Sequence, residues 1–189
     1  MLSAFWRLVW KWWGWKFQGQ YPYALPKLLI IVGPHTTWKD VLLGFAVRAQ
    51  LGVPDIKFLG KKELFEGPFG WFFYWAGGTP VDRFSPQGMV NQVVDLYKKK
   101  DRFILAMSPE GTRKRVDKLR TGFYHIAHQA RVPVVMAGLD FAQKQVVFSE
   151  PFTTTGDQER DLKKILQFFS SCTGAVPAQD LRHLKENVH

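Results

Sequence analysis

The stretch KLLIIV, Lys27 to Val32, limits the fold more than any other part of the chain. One charge opens it, only apolar residues follow, and Gly33-Pro34 stops it. So short and so apolar a run reads as a buried strand, and the Gly-Pro pair turns the chain out of it. Thr36 or Thr37 can then cap a helix from about Trp38 to Leu51, which Gly52 and Pro54 end. The alternation continues. Ile56 to Leu59 reads as a short strand and Val81 seeds a brief one. Pro86 to Lys99 has helical spacing through Met89, Val93, Val94 and Tyr97. Arg102 to Met107 (RFILAM) is a second clear strand, Leu119 to Ala130 a helix, and Val132 to Leu139 and Gln145 to Phe148 are strands. Asp157 to Ser170 is a helix with acids in its first turn, and a polar helix near Asp180 to Asn187 follows. Strands alternating with helices predict an α/β fold: a single domain with a largely parallel or mixed sheet flanked by helices. A length of 189 residues, 46% of them hydrophobic, fits one domain with a real core.

The formal charge of +10 calls for an anionic partner: nucleic acid, an acidic membrane surface or a phosphorylated substrate. The single cysteine, Cys172, allows no intrachain disulfide and reads as structural. The first residues, MLSAFWRLVWKWWGW, hold five of the eight tryptophans. Arg7 and Lys11 interrupt what would be the apolar core of a secretory signal, and the run is too short to span a bilayer, which takes about twenty apolar residues. As a helix it places Trp6, Val9, Trp10, Trp13 and Phe17 on one stripe, with Arg7, Lys11 and Lys16 outside it. Indoles beside cations suit a lipid headgroup boundary, so residues 1–20 are expected to form an amphipathic membrane-interface helix and 21–189 the α/β domain. The alternative is a first helix packed on its own domain. The block PFGWFFYW, containing Phe69 to Trp75, reads either as core or as the wall of an apolar groove.

In sheets of this type ligands collect at the carboxyl ends of strands. Three such ends carry polar groups: GPHTTWKD, GGTPVDR and SPEGTRKR. Residues five apart on one helix point about 140° away from each other, so His35 and Asp40 meet only if His35 lies in the loop and Asp40 in the helix's first turn. Asp40 then fixes the tautomer of His35 and leaves the other ring nitrogen free as a base. Such a spacing arises readily by chance, and the pair carries little weight alone. In SPEGTRKR, Gly111 lets backbone approach a ligand, Arg113 and Arg115 offer planar forks of donors to phosphate, and Glu110 can hold an arginine or the loop. The competing reading is a solvated basic turn. Arg83 and the pair Lys61-Lys62 add cations.

Taken together, HTTWKD, GGTPVDR, SPEGTRKR and VPVVMAG resemble, in order and approximate spacing, the four motifs of the glycerolipid acyltransferases, the enzymes related to 1-acylglycerol-3-phosphate acyltransferase. The resemblance covers roughly residues 28 to 140, and KKELF resembles that family's lysine-containing segment. It implies transfer of a fatty acyl group from an acyl thioester, acyl-coenzyme A or acyl carrier protein, to a hydroxyl of lysophosphatidic acid or a related lysolipid. Neither a cofactor nor a metal is implied. By the same resemblance His35 is the general base, Asp40 orients it, and Lys62, Arg83, Glu110, Gly111, Thr112 and Arg113 form the substrate-binding set. The N-terminal helix is then expected to act as a monotopic anchor on the cytoplasmic face of an anionic membrane. Ser108, Pro80 and Met136 depart from the usual motif residues and leave the substrate less determined than the reaction. The main competing class is a non-catalytic basic membrane-binding module. Nucleic acid is not expected, because the cations cluster in glycine-proline loops and no nucleic-acid motif is present.

Overall fold

The structure is a computed structural model that describes residues 2–82 and 88–185. Its elements, in chain order, are α1 (Leu2–Trp13), β1 (Lys16–Gln18), β2 (Lys27–Gly33), α2 (Lys39–Leu51), β3 (Ile56–Lys61), α3 (Lys62–Glu66), α4 (Gly70–Trp75), β4 (Gly78–Val81), α5 (Gly88–Lys99), β5 (Phe103–Met107), α6 (Gly122–Ala130), β6 (Val134–Asp140), β7 (Gln145–Phe148), α7 (Gln158–Phe169) and α8 (Arg182–Lys185). A 3-10 turn at Pro177–Gln179 precedes α8.

The strands form one sheet in the order β1-β7-β6-β2-β5-β3-β4. Every pairing is parallel except β6 with β7, so the mixed α/β sheet expected from the sequence is what forms. β2 is central, flanked by β5 and β6, and side chains alternate across it. Leu29 and Ile31 face the layer of α5, α6 and α7 with Phe103 and Phe123, while Leu28 and Ile30 face the layer of α1 and α2 with Ile104 and Val135. Burial on both faces is why KLLIIV is uniformly apolar. Gly52, at φ 70, ends α2 by returning its N–H to the carbonyls of Ala49 and Arg48.

Three sequence expectations are corrected. The first twenty residues are not a single helix: α1 stops at Trp13, and Lys16–Gln18 joins the sheet as β1, in register with Gln145 to Val147. The Trp6, Trp10, Trp13 and Phe17 stripe faces the domain rather than outward. Trp6 stacks on Phe45 with ring centroids 5.7 Å apart, and Trp10 on Phe17 at 4.4 Å, so the stripe packs onto the domain. The outward side of α1 carries Phe5, Leu8 and Trp12 instead. Finally, the aromatic block is neither core nor a wall of the cavity that begins at His35. It forms the short helix α4, whose Trp71, Phe72, Tyr74 and Trp75 stand in solvent. The helix beginning at Leu119 starts at Gly122, and the expected start at Pro86 lies outside the described residues.

Candidate active site

β2 and β5 are neighbours, so the loops leaving their carboxyl ends meet above the sheet. The loop after β2 holds His35, and the first turn of α2 holds Asp40, 5% exposed. His35 Nδ1 lies 3.0 Å from Asp40 Oδ2. That same oxygen accepts from the backbone N–H groups of Thr36 at 2.8 Å and Thr37 at 2.9 Å, and Oδ1 accepts from Thr37 Oγ1 at 3.2 Å. Asp40 therefore builds the turn that presents His35 as well as holding its ring. With Nδ1 donating to the carboxylate, Nε2 is the ring nitrogen that carries no proton in the neutral imidazole.

Glu110, from the loop after β5, is fully buried, and its Oε1 accepts the N–H of His35 at 2.7 Å. Burial pushes its carboxyl up to about 8, with Asp40 and Asp180 adding to the rise and the His35 N–H opposing it. Oε2 is buried without a partner among the described residues. Glu110 thus anchors the histidine's own backbone and, among the described residues, pairs with no arginine. Gly111 takes φ +65, and a Cβ there would stand 2.5 Å from Arg120 Cδ, so the glycine lets Arg120 lie across the loop.

His35, Asp40, Gly111, Thr112, Arg113 and Arg120 line one end of a cavity of about 900 Å³. From there it runs between α2 and the sheet, over Val32, Gly44, Val47, Ala106, Ala137 and Leu139. Its walls in that direction are mostly apolar, with Arg48 and Lys57 among them, and its mouth offers the guanidinium groups of Arg113 and Arg120. Lys62 is not brought to it: the ammonium lies 3.4 Å from Glu66 on the surface of α3 and is absent from the cavity wall. Arg83 lies outside the described residues. No residue of the Phe69 to Trp75 block lines the cavity, so the apolar groove is made by α2 and the sheet.

Two residues went unrecognised in the sequence. Arg120 sits in a stretch that reads as helix. Gln179, from the turn before α8, reaches back to the site: with its amide nitrogen turned inward it donates to the carbonyls of Thr36 at 3.1 Å and Arg113 at 2.8 Å. Val176 N–H donates to Thr36 Oγ1 at 3.2 Å beside it. No local pattern marks Gln179, because its partners lie far away in sequence.

The family model described as Acyltransferase matches residues 17–139. The chain belongs to the acyltransferase family. Over 130 residues the domain is 32% identical to a 1-acyl-sn-glycerol-3-phosphate acyltransferase of Streptococcus pneumoniae, a match covering 67% of this chain and 44% of that protein. It is 36% identical over 89 residues to the enzyme of that name from Escherichia coli, covering 43% and 36%. The chain thus matches less than half the length of these relatives. The crystal structure of the 1-acyl-sn-glycerophosphate acyltransferase PlsC from Thermotoga maritima shares the fold, with a TM-score of 0.57 at 19% identity over 99% of this chain and 76% of that one. Both halves of the site, His35 with Asp40 and the Glu110 to Arg113 loop, fall within the acyltransferase match.

Proposed function

We propose that this acyltransferase moves a fatty acyl group from a thioester, carried on coenzyme A or acyl carrier protein, to the hydroxyl of lysophosphatidic acid or a closely related lysolipid. One observation carries the reading: an imidazole held by a buried carboxylate opens onto an apolar cavity with Arg113 and Arg120 at its mouth. His35 Nε2 takes the acceptor's hydroxyl proton as that oxygen attacks the thioester carbonyl carbon. The tetrahedral intermediate collapses, the C–S bond breaks, and the imidazolium returns its proton to the departing thiolate. Asp40 steadies the imidazolium while it lasts. No acyl-enzyme is needed, since the thioester is already activated. The guanidinium groups hold the acceptor's phosphate, and the space under α2 takes a fatty chain, at about 0.8 kcal/mol per buried methylene.

The relatives, named as 1-acyl-sn-glycerol-3-phosphate acyltransferases, support the substrate class. We place the reaction at an anionic membrane surface, on its cytoplasmic face, where such acceptors reside. No helix among the described residues is long and apolar enough to cross a membrane, and peripheral attachment suits that. The test is thiol release from acyl-coenzyme A or acyl carrier protein in the presence of lysophosphatidic acid. His35→Ala is expected to abolish the release that the parent shows. Unchanged release by the variant sinks the proposal.

A further inference from the structure

Helix α4, GWFFYW, is held by its back and bare in front. Phe65 of α3 is buried and meets Tyr74 edge-on at 4.8 Å, while Gly70 packs against the Phe65 backbone so closely that a Cβ would lie 2.0 Å from its carbonyl oxygen. The Arg48 guanidinium on α2 clamps the end of the helix by donating to the Ala76 carbonyl. These contacts are tertiary, and they present Trp71, Phe72, Tyr74 and Trp75 outward, Trp71 at 69% exposure. A contiguous exposed aromatic surface marks a place of association.

This surface does not stand alone. Trp75 and Ala76 form one wall of a groove of about 450 Å³ whose other walls are Trp6 and Arg7 of α1 and Phe45 of α2. Beyond that groove the outer side of α1 shows Phe5, Leu8 and Trp12, the last 83% exposed. Phe45 and Arg48 line both this groove and the cavity that begins at His35. Val41 and Trp38, one and two turns before Phe45 on α2, are exposed as well, and Val41 is part of the cavity wall. An apolar, aromatic path therefore runs from α4 and α1 to the mouth of the active site.

The charge on the α1 side of this path has one sign, while α3 beside α4 balances Lys61 and Lys62 with Glu63 and Glu66. No acidic residue precedes Asp40, whereas Arg7, Lys11, Lys16, Lys27 and Lys39 all do. Arg7, Lys11 and Lys16 are exposed. A second copy of the chain would bury the aromatics and bring the same cations with it. An acidic carrier protein would answer the cations and leave the indoles unexplained. Indole and phenol rings backed by cations match a bilayer of anionic phospholipid, where the rings settle at the headgroup boundary.

We propose that α4 is a second lipid-embedded element beside α1, so that the domain sits on an anionic bilayer at two points and its active-site mouth opens along the lipid. The inference rests on the acyl-transfer reading only for its purpose, not for its geometry. The acceptor lysolipid can then reach His35 by sliding along the Trp38-Val41-Phe45 stripe without leaving the membrane.

The experiment is sedimentation with vesicles of phosphatidylcholine, with and without phosphatidylglycerol, combined with quenching of tryptophan emission by brominated phosphatidylcholine. Trp71→Ser/Trp75→Ser is expected to weaken binding to the anionic vesicles at least about tenfold and to remove part of the quenching. Thiol release to a soluble short-chain acceptor should not change. Trp12→Ser, at the most exposed site on α1, checks the other contact without risk to the core. Vesicle binding by the double variant equal to the parent's overturns the proposal, even if acyl transfer stands. So does loss, in that variant, of a dimer or of carrier-protein binding while vesicle binding persists. If the parent releases no thiol yet the variant binds vesicles more weakly, the docking face stands and the reaction assignment falls.

Discussion

Replacing Asp40 by asparagine separates two jobs that one carboxylate does. Oδ2 accepts from His35 Nδ1 at 3.0 Å and from the N–H groups of Thr36 and Thr37 at 2.8 and 2.9 Å. An asparagine must face those two amides with its oxygen, because its NH₂ would oppose two donors. That oxygen still meets His35, so the ring tautomer is kept. The NH₂ falls near Thr37 Oγ1, which can turn to accept. What vanishes is the charge. A hydrogen bond to a charged group contributes about 1.5–3 kcal/mol and a neutral one about 0.5–1.5, so the difference of about 1–1.5 kcal/mol amounts to about tenfold in turnover. In the Ser-His-Asp template, where the asparagine leaves the ring in the wrong tautomer, the loss is about 10⁴. Asp40→Ala strands both amides, at about 1–3 kcal/mol each, and should lower stability as well as rate. The assay is turnover by thiol release at saturating acceptor, with urea midpoints measured alongside. If the asparagine variant falls as far as His35→Ala while keeping its urea midpoint, the two backbone donors do not govern the tautomer and the argument fails. If it retains full turnover, the charge does nothing.

Two further outcomes follow from buried polar groups. Glu110 rises from 4.5 to about 8 in the folded state, mainly because it is buried. Between those values the folded chain keeps a proton that the unfolded chain has released, so stability falls as pH rises through that window, by at most about 1.4 kcal/mol per pH unit. Glu110→Gln keeps an oxygen for the His35 N–H and is expected to flatten the slope in urea melts taken across the window; a slope unchanged in the variant assigns it to another group. Gln179→Leu removes both amide donations, to Thr36 and Arg113, and should lower turnover about five- to thirtyfold while raising KM for the phosphate-bearing acceptor. A variant that only melts earlier, with kinetic constants intact, shows Gln179 to be a fold contact alone.

The parts of the fold readable in the sequence are those where one physical demand acts alone. β2, β5 and β6 are buried on both faces, and nothing but an apolar run satisfies that. The readings that failed are those where hydrophobicity left the direction open. Trp6, Trp10 and Trp13 share a stripe, and so do Phe5, Leu8 and Trp12; periodicity finds both and does not say which meets the domain. Phe17 continues the first stripe on paper, yet Gly14 takes φ +70 and breaks the helix, so Phe17 reaches Trp10 from a strand. In α4 the same aromatics that suggest burial are exposed, because Phe65, Gly70 and Ala76 supply the attachment. Lys62 carries the right charge for phosphate, but four residues later Glu66 takes it up on the same helix face.

For the site, the sequence conveys the meeting of His35 and Asp40 through Pro34, which keeps the loop out of the helix; neither threonine caps α2, whose N-cap is Trp38 without a side-chain bond. It does not convey what holds that turn still. Thr36 is gripped by Asp40 through its N–H, by Gln179 through its carbonyl and by Val176 through its hydroxyl. His35 is gripped by Glu110 through its own N–H. Three of these four partners lie far along the chain and arrive only when β2 pairs with β5 and the segment before α8 folds back across the loops. The turn that carries His35 is local in sequence and non-local in its mechanics. A motif search therefore finds the imidazole and its carboxylate and passes over Gln179, although the carboxylate and Gln179 both hold the backbone of Thr36.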